Sequence, residues 1–285
     1  MSLEDRADHE WSRGNVVKVV LKKELVHLMP ILASLLFGLL CAYVIIPPEV
    51  EITPFSEGVG SIGNAVYFVV LVGVGATMLY LLLKRKSLRL ISIMTGFALT
   101  MAVFMLSFIY LYSVLSIFTV AFSEIWVLAA AMAMTILADW AIFRTRRVAN
   151  VIILGLGGAL GTFLGVLIPT QSTVLILGFL AVYDVFAVYR GPVGKIAQSG
   201  LDQFRGLSFS FRDIQMGLGD LTFYSMLVGH MWIFFGPAAC LAGVIGVLGG
   251  CLVSFRMLEK KGMFPGLPLP IFLGLTASFL ATMFS

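Results

Sequence analysis

The chain has 285 residues, of which 60% are hydrophobic and 12% charged, and its mean hydropathy is +1.02. Soluble domains are about half apolar and a quarter charged, so this composition excludes a water-soluble enzyme, a disordered chain and a collagen-like fibre. It points to an all-α protein that crosses a membrane many times, and the net charge of +4 is read as orientation-setting loops rather than nucleic-acid binding.

Residues 1–25 are polar and mixed in charge. A long apolar stretch follows them, where a secretory signal would have a short one and a small-residue cleavage site. They are expected to form a tail, mobile over residues 1–15. All 19 Lys and Arg fall into five groups, within residues 6–23, 84–89, 144–147, 190–212 and 256–261. A span needs roughly 20 apolar residues, so each interval between groups accommodates two spans and a turn, and the residues after Lys261 accommodate one more.

The predicted spans are 26–46, 62–83, 88–109, 122–143, 148–168, 172–190, 213–235, 237–257 and 267–284. Turn chemistry marks the middle of each interval: Pro47-Pro48-Glu49 through Ser61, a less defined turn within Tyr110–Ser123, Pro169-Thr170-Gln171-Ser172, and Gly236-Pro237. Every basic group then lies on one side. The positive-inside rule predicts a single polytopic domain over 1–285 in the cell membrane, with nine transmembrane helices, a cytoplasmic N-terminus, an extracellular C-terminus and a cytoplasmic loop at 191–212. Cys41, Cys240 and Cys251 fall within spans and read as packing residues without disulfide or metal spacing.

Most acidic residues belong to tails or loops. Asp139, five residues before Arg144, is expected to pair with that basic cluster or to snorkel. Asp184 and Asp220 have no such explanation. An ionisable group at membrane depth is a functional hypothesis by default, set against an interhelical hydrogen bond. Asp184 lies six residues before Arg190 and Asp220 eight after Arg212, roughly 9 and 12 Å from the cytoplasmic ends of consecutive antiparallel spans. Two facing carboxyls at one depth share a proton. The ionised one can deprotonate water while the protonated one donates to a scissile carbonyl oxygen, which is aspartic-protease chemistry.

The settings of these residues, Tyr183-Asp184 and Gly217-Leu218-Gly219-Asp220, resemble the YD and GxGD motifs of the presenilin and signal peptide peptidase family of intramembrane aspartyl proteases. Pro265-Gly266-Leu267-Pro268 resembles that family's Pro-Ala-Leu-Pro stretch, with Gly266 in place of Ala; a second register ending at Pro270 stays open. The resemblance implies a catalytic pair, Asp184 and Asp220. Around it, Tyr183, Gly217, Leu218, Gly219, Pro265, Gly266, Leu267 and Pro268 would shape the site. Glycines beside the carboxyl permit close approach, and the prolines keep their segment from being regular helix. The basic-loop orientation matches presenilins rather than the signal peptide peptidase branch, and the short connection between the aspartates is similar to archaeal-type homologues.

The function so implied is cleavage, without cofactor or metal, of peptide bonds in the transmembrane segments of single-span protein substrates. The partners implied are those substrates and the lipid bilayer, with no nucleic acid and no required accessory subunits; homo-oligomerisation stays open. One alternative is a prepilin-peptidase-like membrane aspartyl protease, and another is a proton-coupled secondary transporter with the aspartates as relay.

Three further expectations concern the surroundings. Leu207-Ser208-Phe209-Ser210-Phe211 alternates like a strand that could pair with unwound substrate. Gly157, Gly161 and Gly165 read as a helix-packing seam, and His230 as a packed or interfacial histidine.

Overall fold

The computed structural model describes residues 26–45, 53–85, 87–118, 123–190, 208–211, 214–261 and 263–284. The predicted tail 1–25 and most of the predicted loop 191–212 lie outside them. The order is α1 (Val26–Val44), α2 (Gly60–Lys84), α3 (Leu88–Ile117), α4 (Glu124–Arg144), α5 (Arg146–Leu167), α6 (Thr170–Tyr189), β1 (Ser208–Phe211), β2 (Ile214–Gly217), α7 (Leu218–Lys261) and α8 (Pro268–Phe284). Among the described residues, seven helices, α1 to α7, are long and apolar enough to cross a membrane, and α8 is a shorter apolar helix.

α7 has 44 residues. Straight, it would extend about 66 Å, twice the roughly 30 Å hydrocarbon core. It is broken at Gly236 (φ 84°, ψ −177°), just before Pro237. A positive φ favours glycine, because a β-carbon would clash with the backbone there. The break reverses the chain. A β-carbon placed on Gly243 would lie 3.4 Å from Leu227 Cδ2, although sixteen residues of straight helix separate two positions by about 24 Å. The two arms of α7 therefore lie side by side.

Small residues let the central helices approach closely. A β-carbon at Gly157 would meet Leu221 Cβ at 2.8 Å, and one at Gly161 or Gly165 would run into the backbone of α7 at Thr222 or Met226. The glycine seam of α5 thus docks the first arm of α7, the two running in parallel. Ser34 Oγ donates to Leu154 O (2.9 Å) and Thr162 Oγ1 to Gly38 O (2.9 Å), which binds α1 to α5 in the same sense. α8 packs antiparallel on the second arm of α7: Gly243 faces Ser278, Gly246 faces Leu273, and Gly250 faces Pro270.

The main core joins α6, α7 and α8 through residues such as Ile176, Leu180, Tyr224, Leu227, Val247 and Ile271. A second cluster, with Cys41, Leu106, Leu156 and Phe163, joins α1, α3 and α5. The peripheral helices instead turn apolar side chains outward, among them Leu71 (54% exposed), Ile93 (66%), Trp126 (69%) and Ile136 (65%). Side chains of this kind require lipid rather than water around them.

Three expectations are corrected in detail. The third helix continues to Ile117, past the predicted limit at 109, because residues 110–117 hold no glycine or proline to stop it. Asp139 does not carry an ion pair with Arg144: its Oδ2 accepts from Thr100 Oγ1 (2.7 Å) on α3, while the Arg144 guanidinium lies over the Trp140 ring at 4.7 Å. The seventh helix begins at Leu218 rather than 213, since residues 214–217 form β2. β2 pairs antiparallel with β1 in the register Ser208↔Gly217, Phe209↔Met216, Ser210↔Gln215 and Phe211↔Ile214.

Candidate active site

Gly217-Leu218-Gly219-Asp220 is a strand-to-helix junction. Gly217 ends β2 and Asp220 lies in the first turn of α7, so these glycines sit at a junction and not in a helix interior. Asp184 lies five residues before the end of α6 at Tyr189. Both carboxyls are therefore carried at helix ends. Both residues are partly exposed.

The segment leading into α8 lies against both. The Leu267 N–H donates to Asp184 Oδ2 at 3.0 Å. A β-carbon on Gly266 would lie 3.2 Å from Asp220 Oδ2 and 3.4 Å from its Cγ, so the Asp220 carboxyl rests on bare backbone. On its other flank, a β-carbon at Gly217 would be 3.7 Å from the same Oδ2. Pro265 and Leu267 are buried, and Pro268 opens α8, a position where a missing N–H costs nothing. The register ending at Pro268 is thus the one beside the aspartates, while Pro270 packs on Gly250 of α7.

The remaining predicted residues divide. Tyr183 turns its ring toward Gly73 of α2 and lines a groove of about 570 Å³ between α2 and α6 with Val70, Thr77 and Phe186. Leu218 packs toward α5, its Cδ1 lying 3.5 Å from a β-carbon placed on Gly157. Gly219 is exposed. His230 is fully buried. Its Nδ1 donates to Gly165 O (2.6 Å) and its Nε2 meets Thr170 Oγ1 (3.0 Å), which joins α5, α6 and α7 far from the carboxyls. Among the described residues no cluster of His, Cys, Asp and Glu is suited to hold a metal ion.

Sequence reasoning passed over Tyr224. It lies one turn after Asp220, on the same face of α7, is 1% exposed, and donates from its hydroxyl to Gly266 O at 2.8 Å. The spacing of four from a candidate catalytic residue was the available signal.

These observations define a multi-pass helical membrane protein in which two helix-borne carboxyls meet one irregular backbone segment. The fold is that of the presenilin-family intramembrane aspartate proteases. One such solved structure, in space group C222, has a TM-score of 0.66 at 18% identity and covers 90% of this chain and 99% of that one. Another, in space group P2, has a TM-score of 0.64 at 23% identity over 90% and 98%. In sequence the chain is similar to Presenilin-B of Dictyostelium discoideum, 32% identical over 133 residues, which is 41% of this chain and 27% of that protein. It is also similar to Presenilin spe-4 of Caenorhabditis elegans, 32% identical over 72 residues, or 25% of this chain and 15% of that one. The matched stretches thus span about a quarter or less of those relatives' length. No family model matches the chain.

Proposed function

We propose that the protein is an intramembrane aspartyl protease that hydrolyses peptide bonds in the membrane-spanning segments of single-span substrates, with Asp184 and Asp220 as its catalytic pair. The observation that carries this reading is that both carboxyls lie against one peptide unit, Gly266–Leu267. Two interacting carboxyls titrate as a unit and hold one proton between them. The ionised member takes a proton from water, and the resulting hydroxide attacks the scissile carbonyl carbon as the other carboxyl protonates its oxygen. Proton return to the amide nitrogen then breaks the C–N bond. The chemistry draws on these two groups and water alone. Gly217 and Gly266 leave room for an extended substrate backbone beside the acids, and the β1–β2 hairpin ends at that position.

Nine membrane crossings follow if each arm of α7 spans once and α8 spans with them. The side-by-side arms support this count, as does the direction of the helices: α1, α5 and the first arm of α7 run in parallel, and α2 and α6 share a direction through Asn64–Ser172 and Gly73–Tyr183. The helices that run in parallel are thus odd with odd and even with even, as alternating crossings require. The basic segments then put the N-terminus in the cytoplasm and the C-terminus outside. Catalysis proceeds in this chain without accessory subunits.

The test mixes purified protein in lipid vesicles with a single-span reporter, alongside Asp184→Asn and Asp220→Asn. Wild type yields fragments, neither variant does, and a transition-state mimic of aspartyl proteolysis blocks cleavage. Fragments that persist in Asp220→Asn would end the dyad proposal, and proton-dependent solute flux without cleavage would favour the transporter.

A further inference from the structure

We propose that Tyr224 is a positioning residue for the aspartate pair, acting through the Gly266–Leu267 peptide. The inference rests on the proteolytic reading above but is built from separate contacts. The Tyr224 hydroxyl donates to Gly266 O (2.8 Å), and the Leu267 N–H donates to Asp184 Oδ2 (3.0 Å). That carbonyl and that N–H belong to the same peptide unit. A trans peptide is planar and directs its C=O and N–H to opposite sides. The unit is therefore a rigid strut, held by α7 at one end and gripping Asp184 of α6 at the other.

Geometry gives the strut its consequence. Tyr224 and Asp220 share one face of α7, a single turn apart, and the Asp220 carboxyl lies beside the same Gly266, 3.2 Å from where a β-carbon would stand. A single glycine thus receives Tyr224 on its carbonyl, leaves the space of its missing side chain to Asp220 and begins the peptide that holds Asp184. Direct α6–α7 packing is slight beside that of α7 with α8, so the spacing of the acids depends on this path. Hydrogen bonds in series also polarise one another. A hydroxyl on the carbonyl oxygen makes the Leu267 N–H a better donor to Asp184. Burial removes water as a substitute for the phenol, since Tyr224 is 1% exposed.

The experiment uses the full chain in lipid vesicles and compares wild type with Tyr224→Phe, which keeps the ring and removes the hydroxyl. The expected result is a roughly tenfold lower kcat, the scale of one well-placed hydrogen bond, with KM changed less than twofold. Unchanged kcat per folded molecule would overturn the proposal, since a merely structural hydroxyl lowers only the melting temperature. A second readout does not depend on cleavage. Melting temperatures are measured for Tyr224→Phe, Asp184→Ala and the double variant, with Thr170→Val as a distant control partner. Tyr224→Phe and Asp184→Ala shift the melting temperature by less together than the sum of their separate shifts, whereas Tyr224→Phe and Thr170→Val add. Additive shifts for the first pair overturn the proposal. If wild type does not cleave, the proteolytic reading fails and this cycle alone decides the role of Tyr224.

Discussion

A β-carbon at Gly161 would overlap the Thr222 carbonyl oxygen and lie 2.7 Å from Ser225 Cβ and 2.8 Å from Met226 N. Ordinary carbon contacts are about 3.5–4.0 Å, so Gly161→Ala forces α5 and the first arm of α7 about 1 Å apart. Backbone blocks it on the α7 side, which leaves no side chain to rotate out of the way. Overpacking of this kind costs about 1–3 kcal/mol, here at the upper end. Alanine recovers about 1 kcal/mol through helix propensity, for a net loss of about 2 kcal/mol. At about 2–4 °C per kcal/mol, the melting temperature falls by about 4–8 °C. Gly96→Ala is the matched control, because nothing lies within 4 Å of its β-carbon; it melts at or above wild type. A thiol-reactive fluorogenic dye reads both, since Cys41, Cys240 and Cys251 are all buried until unfolding. Activity falls further than stability, because the displaced arm carries Asp220 and a 1 Å misplacement can cost about 100-fold in rate. If Gly161→Ala melts with Gly96→Ala, the tight α5–α7 seam is wrong.

Three other expectations follow. Gly236→Ala puts a β-carbon on a residue at φ 84°, a conformation that costs about 1–2 kcal/mol, and a lower melting temperature by the same dye assay checks it. Phe209→Pro removes a donor from the ladder that pairs Phe209 with Met216; cleavage of the reporter drops while the melting temperature stays within about 2 °C. Turnover has a bell-shaped pH profile, because the pair works only with one proton on it: doubly protonated at low pH it has no base, and doubly ionised at high pH it has no acid. A flat profile between pH 4 and 9 would contradict the shared proton.

Sequence alone determined that this chain belongs in a membrane, because burying its apolar surface in water is impossible at 12% charge, and hydropathy is a local, additive property. It also isolated Asp184 and Asp220, since scarce charge makes each unexplained carboxylate conspicuous. The turn at Gly236-Pro237, the strand before the second aspartate and the glycine seam of α5 were legible for the same reason: each is a local backbone preference or a helical period. Tertiary structure decided what depends on distant residues meeting. Thr100 sits 39 positions from Asp139, and no local rule pairs them against the nearer Arg144. The seventh helix starts late because residues 214–217 pair with β1, a contact between segments that span limits drawn from hydropathy do not register. Which part of the proline segment meets the carboxyls also depends on tertiary contact: the Leu267 N–H reaches Asp184, while Pro270 packs on Gly250. Tyr224 was invisible for the plainest reason: a buried tyrosine among apolar residues reads as packing until its hydroxyl is seen on Gly266, 42 residues away.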